Sequence, residues 1–594
     1  MADRCPSAAL LSGRRGLEGL ASCEVHNDWT WLSRTNRWAL KTVLRSLDPG
    51  TLIPAASAWY ILASDSYPWG PLDIHPAKDG GIAETFPHQH FNAPGVEELP
   101  YRTGRLCLTA VNRPGPAWLP VYEPYAPSQR LRWHVERAQE WLKLAAANTL
   151  MVSGDAFELP ALPPTTETGR CLVTNQAMGP IDAFLSWAPR MGRVEFVALT
   201  PDPEAPLFVS KLTPGMGTSG GTNLEVPWGS MLLDLPTTAG VWISLDTIPA
   251  VTPWRFPSVW GELREFLPNR GVGLDVFMAR EFRSMQNAEP RYLLLGFPIP
   301  QRVGDSIKLM HWAGIHLPYT DGQEFPDELP IRWVPVENFS PESFGVRGQL
   351  AAGCAGRSVV LIGAGSMGSA VAEMLVRAGL SRLTIMDGDH VQLGNLARHS
   401  ALLTDIGVNK ATLLTERLGL AHPTVRLTAI PMYFPPSPEG IRAWLDAADV
   451  IVDATGSDEL LYELAKFPWR REHLFISLSL GLYARRLYCF AAQEPVFPEE
   501  AFHEQLRSWL QLDRKELGDG SPRSASWGCS QGIFPARIDD TILWASVAVK
   551  TVERLIVTPP AEPRLLVFTQ QYEDGHFVGI RNISPTDGPQ QETV

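Results

Sequence analysis

Six consecutive residues, Gly363-Ala364-Gly365-Ser366-Met367-Gly368, carry the densest chemical signal in the chain. Glycines at this spacing let a backbone turn tightly and approach a phosphate, and a helix opening behind them offers N–H groups and the positive end of its dipole. Asp387 follows 19 residues after Gly368, where an acidic side chain meets the ribose hydroxyls of a nucleotide. By spacing alone this fits NAD as well as any other nucleotide. Asp389, Asn395, Arg398 and Lys410, within DGDHVQLGNLARHSALLTDIGVNK, separate the two. An arginine and a lysine aimed at one phosphate mouth suit chemistry at an α-phosphate, because pyrophosphate leaves with growing negative charge. A hydride-transfer enzyme has no need of them. A second chemical type is the thiol. Cys529 lies in GDGSPRSASWGCSQGIFP, a polar, glycine-rich loop ahead of a helix predicted over Asp540–Ile556, and such exposure near a helix N-terminus favours thiolate. Cys354 and Cys489 fall beside or within predicted strands and read as packing.

These residues need a scaffold to position them. SVVLIG is an apolar, β-branched strand ahead of the glycine loop, with a helix predicted over Ser369–Gly379. RLTIMDGD is the next strand, Asn409–Leu418 is helical, and DVIVDATG and LFISLSL are further buried strands. Near-continuous apolar strands alternating with helices predict a parallel, doubly wound Rossmann-like α/β sheet. In the N-terminal block the spacing of Leu32, Leu40, Val43, Leu44 and Leu47 predicts a helix capped by Asp28 and stopped by Asp48-Pro49-Gly50. AWYILAS is the clearest strand there, and a second helix is predicted over Ser128–Asn148 beyond Cys107. The middle block alternates β-like runs (RVEFVALT, PLFVSKL, RYLLLGF) with one helix near Trp260–Phe266, is expected to be α+β, and shows no catalytic constellation.

The chain has 594 residues, room for roughly three or four domains. Proline- and glycine-rich runs at Glu158–Gly169 and Asp327–Gly348 suggest boundaries, giving blocks of residues 1–157, 158–340 and 341–594. Net charge is −13, so a basic nucleic-acid-binding face is not expected. No run of 18 apolar residues suggests a membrane span, and the N-terminus has no secretory pattern. Seven scattered cysteines without a CxxC pair argue against a disulfide framework or a structural zinc site. A cytoplasmic location is the expectation, with neither nucleic acid nor membrane as partner.

The pattern IGAGSMGS…DGD.V…NLARH…IG.NK…DATG resembles the ThiF/ubiquitin-activating enzyme superfamily, over about Phe344–Leu555. The resemblance implies an enzyme that adenylates the C-terminal carboxylate of a protein using Mg-ATP. Gly363, Gly365 and Gly368 would then hold phosphates and Asp387 the ribose, with Asp389 beside it. Asn395, Arg398 and Lys410 would act on the triphosphate and the adenylation transition state. Arg347, ahead of the first strand, corresponds to an arginine that reaches a partner subunit's ATP, which implies a homodimer. Where the family carries a magnesium-binding aspartate after the third strand, this chain has Gly456, so the metal ligand is open, with Asp458 as a candidate. Cys529 corresponds to the cysteine that takes the substrate as a thioester.

YRTGRLCLTAV around Cys107, followed by Pro116-Ala117-Trp118-Leu119-Pro120 and the helix with Glu140-Trp141-Leu142, resembles the active-site segment of ubiquitin-conjugating enzymes. YPWGPLDIHP matches their Tyr-Pro-x-x-x-Pro stretch, and the likeness spans about Asp28–Asn148. It implies Cys107 as the second acceptor thiol in an α+β conjugating domain. Those enzymes place His-Pro-Asn shortly before the cysteine. Here Pro87-His88-Gln89-His90-Phe91-Asn92 lies further upstream, leaving His90, Asn92 or an ordinary polar loop as readings. The whole arrangement resembles the fused ubiquitin-transferase-like proteins of bacterial CBASS antiphage operons, with an autophagy-type activating module and the middle block as linker or docking domain. That resemblance implies a cGAS/DncV-like nucleotidyltransferase, or another protein with an activatable C-terminus, as substrate and target-protein lysines as acceptors. Conjugation of a separate bacterial ubiquitin-like protein, and a sulfur-carrier adenylyltransferase, are the alternatives.

Overall fold

The computed structural model describes residues 4–46, 49–108, 122–164, 170–176, 181–186, 190–202, 204–215, 223–226, 228, 235–267, 291–317, 325–340, 345, 348–422, 424–436, 439–517 and 536–583. The chain divides into two compact units, Met1–Val226 with Leu235–Phe339, and Ser340–Val594 with Pro227–Asp234.

The first unit opens with a helix, Ala8–Arg15, capped by the Ser7 hydroxyl, which accepts the Leu10 N–H at 3.2 Å. Five strands follow: β1 (Cys23–Val25), β2 (Thr30–Leu32), β3 (Arg37–Arg45), β4 (Ala56–Ala63) and β5 (Leu72–Pro76). They form an antiparallel sheet in the order β1-β3-β4-β5, with β2 on β3. The helix expected over residues 28–47 is therefore wrong: that stretch is the β2–β3 hairpin. The cause is double-sided burial. Trp38, Leu40 and Leu44 enter the main core, while Ala39 packs with Leu62 and Tyr101 on the opposite face. Apolar residues on both faces hide the period of two and mimic helical spacing. The helix Pro127–Ala146 forms as expected, with Leu131, Val135, Ala138, Trp141, Leu142 and Ala145 buried. Trp141 is fully enclosed, edge-to-face with Trp59 and Phe86.

The same unit carries β6 (Leu172–Asn175), β7 (Met191–Ala198), β8 (Leu207–Pro214), β9 (Leu224–Glu225), β10 (Thr237–Ser244), β11 (Tyr292–Pro300), β12 (Ile307–His316), β13 (Arg332–Val334) and β14 (Val336–Phe339). Their order is β13-β12-β11-β10-β7-β8-β6-β14, with β9 on β8. The proline-rich run at 158–164 is held to its neighbours: Ala161 pairs with Arg255, and the Trp254 indole donates to the Glu158 carbonyl. The backbone N–H of Trp254, in the connection after β10, donates to the carbonyl of Thr85, in the segment after β5, at 2.9 Å.

The second unit is built on β15 (Ser358–Ile362), β16 (Arg382–Met386), β17 (Arg426–Ile430), β18 (Val450–Asp453), β19 (His473–Leu480), β20 (Arg486–Glu494), β21 (Arg564–Glu573) and β22 (His576–Ile583). The order is β17-β16-β15-β18-β19-β20-β21-β22. β17 to β19 run parallel in Rossmann-like order, whereas β20, β21 and β22 are antiparallel additions. The sheet is thus mixed rather than wholly parallel. Val359 and Leu361 point into one core with the helices Ser366–Arg377, Lys410–Ala421 and Ile538–Val557. Val360 and Ile362 point into the other, with the helices Glu439–Ala447, Asp458–Lys466 and Glu499–Leu517. Burial on both faces is what the continuous apolar strands encode. Among the described residues no helix is long and apolar enough to cross a membrane.

Where β20 begins, the buried Arg486 guanidinium pairs with Asp513 and, at 2.5 and 2.9 Å, with Glu516 near the end of the helix Glu499–Leu517. Burial alone would lower its proton affinity; the two carboxylates outweigh that and raise it. The Tyr488 hydroxyl adds a 2.8 Å bond to Asp513. Arg486 and Glu516 also line a cavity of about 560 Å³, with Tyr483, Arg485, Asp540 and Gln570. Removing one partner of a buried ion pair leaves the other charge uncompensated. Asp513→Ala is expected to destabilise the second unit by about 3 kcal/mol, measured by urea unfolding, and Asp513→Asn by less.

Candidate active site

β15 ends at Ile362 and the helix Ser366–Arg377 begins four residues on, so Gly363–Gly365 make the turn. Gly363 has φ +96°, and a Cβ there would lie 2.8 Å from Thr455 Cγ2. A Cβ on Gly368 would sit 1.9 Å from the Gly363 carbonyl oxygen. These two glycines are therefore demanded by the loop's closure on itself and on the end of β18. Nothing lies within 4 Å of a Cβ on Gly365, which leaves that side of the helix N-terminus open to a ligand.

Asp387 ties the loop to the next strand. Its carboxylate accepts the Ala364 N–H at 2.7 Å through one oxygen and the Asp389 N–H at 2.8 Å through the other. Asp389 in turn holds Lys410 Nζ at 2.9 Å and the Tyr433 hydroxyl at 2.6 Å. Lys410 and Tyr433 together keep the Asp389 carboxyl below the ordinary range. The Tyr433 ring lies against Gly388, where a Cβ would come within 2.6 Å of it. Asn409 caps the helix Lys410–Ala421 with its side-chain oxygen and donates its amide to the carbonyls of Asp387 and Asp389. Asp387, Asp389 and Lys410 are thus brought together around one strand end. Asn395 sits in the short helical turn Leu393–Ala397, its side chain accepting the Gln392 N–H at 2.9 Å, and Arg398 closes that turn by donating its N–H to the Asn395 carbonyl.

His399 is a residue that motif reading passed over. It is buried, Nδ1 accepts the Ala401 N–H at 3.0 Å, and Nε2 lies 2.7 Å from the Ala364 carbonyl. With Nδ1 an acceptor, Nε2 must carry the proton and donate. The neutral imidazole therefore pins the glycine loop through the Ala364 carbonyl, as Asp387 does through the Ala364 N–H, and burial keeps its proton affinity low. Its place in NLARH was the available signal; Tyr433, far downstream, had none.

Asp453 ends β18 almost fully buried. It accepts the Thr455 N–H and hydroxyl at 2.8 and 2.7 Å and the Ser477 hydroxyl at 2.7 Å, and burial raises its pKa. Asp458 is exposed in the first turn of the helix Asp458–Lys466, after the Ser457 cap. Among the described residues no group of three His, Cys, Asp or Glu side chains is arranged to hold a metal ion. Arg347 and Cys529 lie outside the described residues.

Cys107 is partly exposed. Its segment pairs with residues 88–90: Gln89 and Leu106 form an antiparallel bridge, and the Cys107 N–H donates to the His88 carbonyl at 2.8 Å. His88 has φ +57°, a backbone state unusual for a residue with a side chain. Glu158 secures it, accepting the His88 N–H at 3.0 Å and meeting Nδ1 at 2.6 Å. Burial pulls the His88 pKa down, but its bonds to Glu158 prevail and raise it. The enclosed Trp141 indole donates to the Pro87 carbonyl at 3.2 Å. Asn92 and His90 are engaged elsewhere. Asn92 is buried, its amide donating to Ile82 and Glu84 and its oxygen accepting from Arg102. His90 Nε2 lies 2.8 Å from Arg105. Cys354 and Cys489 are fully buried, and burial pushes their thiols up to about 11 and about 12.

A pH dependence follows from His399. Its folded value lies below the ordinary imidazole value, so its stabilising contribution is complete above about pH 6.5 and is lost as acid protonates the unfolded chain preferentially. The melting-temperature difference between wild type and His399→Gln is expected to be largest near neutral pH and to shrink as pH falls from about 6.5 towards 5.

The ThiF family matches residues 338–482, and the Cap2 central linker domain matches residues 148–338. The ATP-dependent ubiquitin transferase-like protein Cap2 of Enterobacter hormaechei is 32% identical over 578 residues, covering 93% of this chain and 94% of that protein. A Cap2 of Pseudomonas aeruginosa is 30% identical over 110 residues, covering 18% of this chain and 19% of that one. The sulfur carrier protein adenylyltransferase of Thermus thermophilus is 29% identical over 215 residues, covering 36% and 74%. From residues 338 to 482 the likeness falls on the glycine loop, Asp387 and the strands that carry them, while the first of these relatives extends it across both units. The chain belongs to the Cap2 family of ATP-dependent ubiquitin transferase-like enzymes.

Proposed function

We propose that this enzyme runs a thioester relay. A carboxylate oxygen of the substrate protein's C-terminus attacks the α-phosphorus of ATP, and pyrophosphate leaves. The Cys529 thiolate then attacks the acyl carbon and AMP leaves. Cys107 attacks that thioester, returning Cys529 as thiolate, and a target lysine amine finally takes the acyl group as an amide, releasing Cys107 and a proton. The reading assigns the phosphates to the Gly363–Gly368 loop and the ribose to Asp387. Asn395, Arg398 and Lys410 are its candidates for charge on the departing pyrophosphate, and Lys410 would carry Asp389 with it. Magnesium keeps most of its ligands as phosphate oxygens and water and needs few carboxylates; the exposed Asp458, beyond the Thr455 that closes on Gly363, fits that modest demand. Bound there, it would neutralise phosphate charge. The substrate proposed is a cGAS/DncV-like nucleotidyltransferase in antiviral defence, and Arg347 reaching a second subunit's nucleotide would make the enzyme a homodimer.

The observation that carries the reading is the setting of Cys107: it shares partial exposure with Cys171, but its segment is pinned by the Trp141–Pro87 and Glu158–His88 bonds, while Cys354 and Cys489 are sealed in the core. The likeness to the Thermus sulfur carrier protein adenylyltransferase favours one second reading, adenylation without conjugation.

Co-expression with the neighbouring open reading frames, resolved on gels with and without thiol reductant, separates them. Cys529→Ala is expected to retain ATP–pyrophosphate exchange and lose both thioesters. Cys107→Ala is expected to keep the Cys529 thioester and lose amide conjugates; conjugates persisting in it would reject the relay. Asp387→Ala is expected to reduce pyrophosphate exchange by at least about 100-fold, in line with loss of a charged group that organises a transition-state site. ATP binding with no adduct on either cysteine would leave the sulfur-carrier reading.

A further inference from the structure

Thioester exchange at Cys107 develops negative charge on sulfur and on the carbonyl oxygen, yet the polar residues upstream of it are occupied. Both donors of Asn92 are spent on backbone carbonyls. Arg105 is drawn to Asp73 at 3.3 Å and to His90, and His88 is held by Glu158.

Among the described residues, a cation approaches from another element. Arg137, on the helix Pro127–Ala146, donates Nε to the carbonyl of Leu108, the residue next to Cys107, at 2.5 Å. Its guanidinium carbon stands 4.8 Å above the Trp133 ring, one helical turn earlier. Stacking and the carbonyl bond fix a planar cation at the cysteine segment, and such a group loses little freedom on making further contacts. Burial lowers the proton affinity of Arg137, and the nearby Cys107 thiol offsets only part of that.

We propose that Arg137 is the electrostatic partner of Cys107, stabilising its thiolate as nucleophile and leaving group and the oxyanion between. This rests on Cys107 as the acceptor thiol of the relay. In the step served, the Cys107 Sγ–carbon bond forms as the Cys529 Sγ–carbon bond breaks. Charge passes from one sulfur through the carbonyl oxygen to the other, with no change of oxidation state. Other charged groups on the elements meeting here include Glu136, Glu140 and Lys143 on the same helix, Arg105 on the cysteine segment, and His88 with Glu158 across the bridge.

The test uses the full chain and an alkylation rate. Cys107 carbamidomethylation, followed by mass spectrometry across a pH series, is compared with the exposed Cys5 in the same molecules. Arg137→Gln is expected to slow Cys107 at neutral pH by roughly threefold or more and move its profile to higher pH, with Cys5 unchanged and Arg137→Lys restoring most of the rate. An unchanged profile in Arg137→Gln, or no rescue by lysine, overturns the proposal. If Arg137→Gln does not fold, wild type in rising salt serves: screening should slow Cys107 relative to Cys5, and no salt effect counts against it. Conjugation surviving Cys107→Ala would reject the relay; an unaltered alkylation profile with conjugation dependent on Cys107 would reject Arg137 alone.

Discussion

The second unit depends on a carboxylate with two obligations. Asp387 accepts one N–H from the glycine loop after β15 and another from Asp389 after β16, so the carboxyl ends of adjacent parallel strands are fixed by a single side chain. A carboxylate accepting backbone N–H groups makes charge-assisted bonds, roughly twice as strong as neutral ones. Asp389 orders Lys410 and Tyr433 from that strand end, and Asn409 locks the following helix to both carbonyls. His399 secures the loop through the Ala364 carbonyl without adding charge. The result is a loop whose backbone is held by its neighbours, the preorganisation that the proposed phosphate site calls for.

How much of this was legible follows from the range of the contacts. The glycine loop could be read because its logic is local: Gly363 needs a positive φ, Gly368 must clear the Gly363 carbonyl, and both lie within six residues. The parallel strands were legible because burial on both faces makes them continuously apolar. In the β2–β3 hairpin the same double-sided burial misled, since the apolar residues there are interrupted at intervals that also suit a helix. The antiparallel strands β20, β21 and β22 went unread in a block whose dominant rhythm alternated strand and helix.

Side chains that act across long separations were invisible. Glu158 reaches back 70 residues to His88, Tyr433 44 residues to Asp389, and Arg137 29 residues to Leu108. No spacing rule connects them. Cys107 stood out by its surrounding motif, but what holds its segment became apparent only with the Trp141–Pro87 bond and the Glu158 clamp. Glu158 sits in a proline-rich run that composition marks as a boundary, yet it touches the segment nearest Cys107. A sequence that breaks rhythm at a linker can still deliver a residue whose partners lie on the far side of it.

The cavity near Arg486 bears on how the chain can vary. Glu516, near the end of one helix, and Asp540, in the first turn of the next, line the same small volume, so these two helix ends are held close together by the core. Loop-closure entropy grows only with the logarithm of length, about 0.6 kcal/mol for each doubling. The fold therefore tolerates a change in the number of residues between these two helices at little cost in stability.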